Sequence, residues 1–318
     1  MTRRKLLSLA PVGMAALSSC NRNDKKRIAV IPMGRSHVYW VSAHAGAVKA
    51  SREDNVEIIW NGPSTESDFS GQLQIVENMI NQHVDAICLA PIDRKALANS
   101  VDRAVATGIP VFIWDSPVDT DKFVAQISTD NYAAGQLGAE RMGEILKGKG
   151  RIVEVACQPG SASTMAREQG FEDKIKQSFP EIKIVDKRYG MADVAKSMTV
   201  AENMLTAFPD VDAMFGSNES STVGAARALT SAKSKVKLVG FDSSPTLIEG
   251  LKDGVIDSLV TQNPFEMGYR VVKGAVTKLG GGSVEHIQKL PAVVVTKANL
   301  DDPVIHARLF PPIDEFLK

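Results

Sequence analysis

Four apolar runs in this 318-residue chain each end on an acid or a carboxamide. In "IPVFIWDSP", residues 109–117, Val111, Phe112, Ile113 and Trp114 lead straight into Asp115. "AMFGSN" ends at Asn218, "KLVGFD" at Asp242, and "DSLVTQN" at Gln262 and Asn263. One such acid is readily explained as a turn residue or a helix cap. A recurring set points further, because ligands of open parallel sheets bind beyond the carboxyl ends of the strands. Carboxylates accept hydrogen bonds and carboxamides both give and accept them, so the set suits a ligand rich in hydroxyls.

The elements that would position these groups alternate steadily. Strands are read at "RIAVIPMG", "VEIIWNG", "DAICLAP", "PVFIWD" and "FVAQIS", with helices between them. The helix over "DFSGQLQIVENMINQ" carries Phe69, Leu73, Val76 and Ile80 at the spacing of one face. A second series runs through "RIVEVAC", "IKIVDKRY", "DAMFGSN", "VKLVGFD" and "DSLVTQN". Two βα series of similar length predict two doubly wound parallel sheets with right-handed crossovers. The helix "PFEMGYRVVKGAVTKLGGG" and the strand "LPAVVVTK" are left over, and are placed most simply if the chain crosses back between two lobes.

Composition narrows the class. Lys plus Arg equals Asp plus Glu at 37 each, so no basic field is available to hold a nucleic-acid backbone. The start "MTRRKLLSLAPVGMAALSSC" is basic, then apolar, then small, the layout of an export signal. Its apolar stretch is shorter than the roughly 20 residues a bilayer span needs. "LSSC" resembles a bacterial lipobox with Cys20 as the lipidated residue, and "TRRKLLS" resembles a twin-arginine motif with Leu6 in place of Phe. The expected location is periplasmic or extracytoplasmic, as an anchored lipoprotein exported by the twin-arginine or general secretory route. Cys88 and Cys157 fall in separate strands without metal-ligand spacing, which reads as buried free thiols.

From "RIAVIPMG" to "AVVVTK" the chain resembles the periplasmic sugar-binding proteins of ABC importers, nearest the ribose-binding branch. The resemblance rests on "GIPVFIWD", "ISTDNYAAGQLGAE", "AREQGF", "MLTAFPDVDAMFGSNE", "VGFDSSP" and "VTQNPFEMG" in order. It implies an α/β fold of two doubly wound lobes, joined by a three-strand hinge and closing on a ligand in the cleft. It implies Asp115, Arg167, Asn218, Asp242 and Gln262 as sugar-binding residues, with Tyr39 and Trp40 on the loop after the first strand. Arg167 is expected between the carboxylates, giving to neighbouring oxygens in a fork. His37 stands where that branch has Asn, Ser116 where it has Arg, and Met191 or Ala192 where it has a second-lobe aromatic. These departures put the identity of the sugar in question.

The implied partition is a signal peptide at 1–19, a tether at 20–26, an N-terminal lobe of 27–128 plus 263–292, and a C-terminal lobe of 129–262 plus 293–318. The implied partners are a monosaccharide or polyol and an importer permease, with the membrane met only through the lipid. The expected protein is monomeric, without metal or cofactor. A sensor presenting its liganded form to a chemotaxis or signalling receptor would use the same cleft. A glycosidase would also want two carboxylates, but Arg167 beside them would leave no protonated acid. A phosphate cradle of kinase type is absent from the sequence.

Overall fold

The computed structural model describes residues 25–318, so Cys20 and the export signal lie outside the described residues. The first sheet contains β1 (Arg27–Ile31), β2 (Glu57–Trp60), β3 (Ala86–Leu89), β4 (Val111–Trp114) and β5 (Ala125–Thr129). The second contains β6 (Lys149–Ala156), β7 (Glu181–Tyr189), β8 (Ala213–Gly216), β9 (Lys237–Phe241) and β10 (Ser258–Thr261). The expected strand "LPAVVVTK" begins on Leu290, the last residue of a separate strand β11 (Ile287–Leu290), and its remainder forms β12 (Val293–Thr296). Pro291 removes a ladder donor where the chain changes sheets. The orders are β11-β5-β4-β3-β1-β2 and β12-β10-β9-β8-β6-β7, so the two halves repeat one winding. β11 joins its sheet parallel to β5, whereas β12 lies antiparallel to β10.

The connecting helices are α1 (Val38–Glu53), α2 (Phe69–Asn81), α3 (Ala98–Ala106), α4 (Asn131–Ile145), α5 (Ala162–Ser178) and α6 (Val194–Ala207). They continue with α7 (Glu219–Ser231), α8 (Pro245–Asp253), α9 (Pro264–Leu279), α10 (Pro303–Leu309) and α11 (Ile313–Leu317). The central strands AICL, VFIW, AMFG and SLVT are buried throughout, as strands covered by helices on both faces must be. Cys88 is free and buried in β3, and Cys157, expected in a strand, is free and buried just beyond β6, where burial pushes its thiol well up.

The face read for α2 is rotated. Phe69 and Leu73 are exposed, and Gln72 is buried beside Val76, Met79 and Ile80. Gln72 donates to the carbonyls of Pro32 and Ala90 and accepts from the Ile92 amide. Those are loop groups beyond β1 and β3 that no strand pairs, so a carboxamide outcompetes an apolar residue at that position.

The chain passes between sheets after Thr129, after Thr261 and after Leu290. Asp130 caps α4 and Asn263 caps α9, so two crossings run directly into helix starts. The Thr129 hydroxyl donates to Gln262 at 2.7 Å, tying those crossings together. Arg308 donates to the Pro291 carbonyl at 2.9 Å and the Thr261 carbonyl at 3.5 Å, spanning two crossings from α10. One part of the expected partition fails. Residues 293–318 do not all join the second lobe, because α11 lies on α1 of the first. Arg52 donates to the carbonyls of Glu315 and Phe316, and the Phe316 ring meets Phe265 at 5.9 Å. Phe316 thereby shelters against α1 and α9 at the far end of the chain.

Each lobe contains a helix pair in which both partners contribute a glycine to the contact. α1 meets α9, and α4 meets α5, across paired glycines. A Cβ at Gly46 would stand 1.9 Å from the Phe265 carbonyl oxygen, and one at Gly135 1.9 Å from that of Arg167. The second contact matters for function, because it sets how deeply α5 can carry Arg167 into the cleft. Gly135→Ala is expected to lose about 1–3 kcal/mol through overpacking, more than the roughly 1 kcal/mol that helix propensity returns. Urea unfolding checks it against Gly274→Ala, whose nearest neighbour is a Phe112 ring atom at 3.3 Å. Equal midpoints for the two variants would count against the close-contact account.

Candidate functional site

Asp115 follows β4 and Asp242 follows β9, strands that hold the same place in the two sheets. Both residues are left-handed, with φ of 63° and 70°. Each amide donates back to the neighbouring strand, Asp115 to the Ile127 carbonyl and Asp242 to the Val260 carbonyl, both at 2.9 Å. Aspartate tolerates this conformation better than most side chains. Neither is a helix cap, since α8 is capped by Ser244 and no helix begins directly after Asp115. The last paired residue of each strand thus turns its carboxylate out of the ladder and into the space between lobes.

That space is lined from both lobes. His37, Tyr39, Trp40, Glu66 and Asp115 face Arg167, Asn218, Glu219, Asp242 and Gln262 across it. The lobes are closed. Gln158 donates to the Glu66 carbonyl at 2.8 Å, and the Tyr39 amide to Glu219 at 3.4 Å. Ser116 is buried but does not line the space. Its hydroxyl accepts from the Ser163 amide of the other lobe at 3.2 Å, which makes it a clasp.

The expected residues divide by what already holds them. Asn218 caps α7, accepting from the Ser221 amide at 3.0 Å, so its cap role and its cavity position coexist. Asp242 accepts from the Glu219 amide at 2.8 Å, at the positive end of α7, and from Gln262 at 2.6 Å. A carboxylate has about four lone-pair sites, so room remains for hydroxyls. Tyr39 donates its hydroxyl to Asp115. Trp40 donates its indole N–H to Glu66 at 2.7 Å and meets Trp114 edge-on at 5.5 Å. The two aromatics are therefore held by polar bonds as well as by packing. Met191 and Ala192 do not line the space, so no second-lobe side chain stacks from there.

Arg167 departs from expectation. Its guanidinium donates to Asn131 at 2.8 Å and to the Ser217 carbonyl at 2.5 Å, and lies 3.7 Å over the Phe241 ring. Among the described residues it pairs directly with no carboxylate. Its charge reaches Asp115 only at longer range, and burial pushes the Asp115 carboxyl up to about 6 against the downward pull of the Tyr39 hydroxyl and Arg167. The argument that Arg167 keeps every acid ionised does not hold. Two acids unforeseen from the sequence join the set. Glu66 follows β2, and Glu219 opens α7 directly after Asn218; burial raises both. Glu219 carried a readable signal, since "SNE" extends a strand-end motif. Glu66, six residues beyond β2 within "GPSTESD", carried none.

Two doubly wound lobes, three crossings and a closed polar cleft define a two-lobed ligand-binding protein. The chain belongs to the periplasmic binding protein family, whose domain it matches over residues 28–283. Within it, the fold is the type I form of the ribose-binding branch. It is 27% identical to the ribose import binding protein of Bacillus subtilis, over 91% of this chain and 93% of that one. It superposes with TM-score 0.88 on a carbohydrate transporter solute-binding protein from Agrobacterium radiobacter solved with D-arabinose, at 32% identity over 90% and 99% of the chains. A solute-binding protein from Agrobacterium vitis with bound D-fucose gives 0.87, 34%, and 89% and 100%. These relatives are binding proteins, and the chain is not an enzyme.

The raised Asp115 pKa has a consequence for stability. The folded state holds that proton more tightly than the unfolded chain, so its contribution is full below about pH 4 and is lost as pH rises through about 6. In ligand-free protein, Asp115→Asn should gain on wild type by on the order of 2 kcal/mol at pH 7, and by little at pH 4. Denaturant unfolding at the two pH values reads the difference. A constant offset would show that Asp115 is not held protonated by burial.

Proposed function

We propose that this protein captures a monosaccharide or related polyol by closing its lobes and delivers it to an ABC importer from a lipid-anchored position. The observation that carries the reading is the meeting of Asp115, from one lobe, with Arg167, Asn218, Asp242 and Gln262, from the other, in one buried space. Each lobe alone offers half of a hydroxyl-reading set. A ligand that touches both halves binds the closed state better than the open one, and that difference is what shifts the equilibrium. The relatives' printed ligands, D-arabinose and D-fucose, belong to the same chemical class. Anchoring rests on "LSSC" with Cys20.

A thermal-shift screen of pentoses, hexoses and polyols should find a ligand that raises the melting temperature. Calorimetry with that ligand should then show Asp115→Asn and Asp242→Asn binding roughly tenfold to a hundredfold more weakly, the worth of one charge-assisted hydrogen bond. Undiminished affinity in both variants would remove the strand-end carboxylates from the site. For the anchor, Cys20→Ala should abolish lipid labelling and release the protein from the membrane fraction. Retention of the variant there would count against lipidation.

A further inference from the structure

Four carboxylates, Glu66, Asp115, Glu219 and Asp242, line the closed space beside a single guanidinium. Asp115 and Asp242 belong with Arg167, Asn218 and Gln262 at the part that reads hydroxyls. Glu66 and Glu219 are in excess of that set. The basic side chain nearest Glu66 is the His37 imidazole, whose Nε2 lies 3.8 Å from it. The Glu66 oxygen nearest His37 also accepts from Trp40, and one Glu219 oxygen takes the long bond from the Tyr39 amide. Among the described residues, no protein donor reaches the second oxygen of Glu66, of Glu219 or of Asp115.

Resting on the reading of the cleft as a sugar site, we infer that its preferred ligand is an aminated sugar or polyol, whose protonated amine takes the free oxygens of Glu66 and Glu219. These two glutamates come from opposite lobes, as do Asp115 and Asp242, so closure brings like charges together. An ammonium on the ligand offsets this, and it donates three hydrogen bonds where acceptors lack donors. A neutral sugar can donate hydroxyls to these oxygens but carries no charge to offset their mutual repulsion. Burial already pushes the carboxyls of Glu66, Asp115 and Glu219 upward. The other groups facing the cluster do not supply the missing charge. Tyr39 stays a neutral phenol, Cys157 stays a thiol, and Lys187 is spent on Glu168 at 3.0 Å and Glu172 at 2.6 Å.

The two ligand types differ in how strongly they respond to pH. A cation pairs with ionised acids, so its affinity rises between pH 5 and 7. A neutral ligand gains hydrogen bonds but no charge pairing from the same ionisation, so its affinity changes much less. Calorimetry on the purified protein would use matched probes: D-glucosamine, D-glucose and N-acetyl-D-glucosamine; the galactose series; and 1-amino-1-deoxy-D-sorbitol with D-sorbitol. The expected result is an amine that binds at least about tenfold tighter than its neutral parent at pH 7, loses that advantage on acetylation, and weakens at pH 5. Glu219→Gln and Glu66→Gln, each shown folded by its melting curve, should each cut the amine-to-neutral ratio severalfold. Neutral sugars binding with no amine ahead of its parent overturns the inference while sugar capture stands. A preference that survives both substitutions overturns the assignment to these glutamates. If no amine probe binds while the thermal-shift screen finds a neutral ligand, the inference falls and sugar capture stands; if that screen also finds nothing, sugar capture falls as well.

Discussion

Closing two lobes on a cleft lined with acids sets the problem that the rest of this molecule answers. A carboxylate is costly to bury unless it is paired and hydrogen-bonded. Asp242 meets that cost locally, with an α7 amide and the Gln262 carboxamide on its two oxygens. Asp115 meets it with one tyrosine hydroxyl and a raised pKa. The repeated winding puts these unequal solutions at matching strand ends, so the cleft has symmetric geometry and asymmetric charge. The proposed reading of hydroxyls rests on the geometry, and the proposed selectivity on the charge.

The crossings are built around the same groups. Gln262 gives its amide to Asp242 in the site and accepts the Thr129 hydroxyl from the neighbouring crossing. A change at Asp242 on ligand binding is therefore one side chain away from the hinge. Arg167 is comparably placed. It is fixed by Asn131, the first residue of α4 beyond a crossing, and by the Ser217 carbonyl just before α7. Cleft and hinge share residues, so ligand contacts and lobe angle are not independent variables.

Much of this was legible in the residues. Uninterrupted apolar strands and their polar ends located both sheets and the cleft, because burial and strand termination leave local marks. The resemblance added Arg167 and the aromatic pair. The failures were of a different kind. Arg167 was expected between carboxylates, but its partners are a carboxamide and a backbone carbonyl brought near by tertiary packing. Ser116 was expected on the ligand and instead clasps Ser163 across the lobes. Gln72 defeated the apolar periodicity of α2, because its partners are orphaned loop groups distant in sequence. Glu66 sits in a loop without pattern, and only the fold brings it beside His37 and Trp40.

The position of α11 has a mechanical consequence. Since the final helix returns to α1, the chain ends beside the lobe in which its first described strand, β1, also lies. Both termini of the described chain thus hold the lobe that carries Asp115. Among the described residues, the lobe that carries Arg167 is joined to the other only through interior segments of the chain. A load or tether applied at either terminus pins the same body and leaves the other free to swing. The Pro311–Pro312 pair lies between α10 and α11, where two fixed φ angles stiffen the link that carries the chain back to the first body.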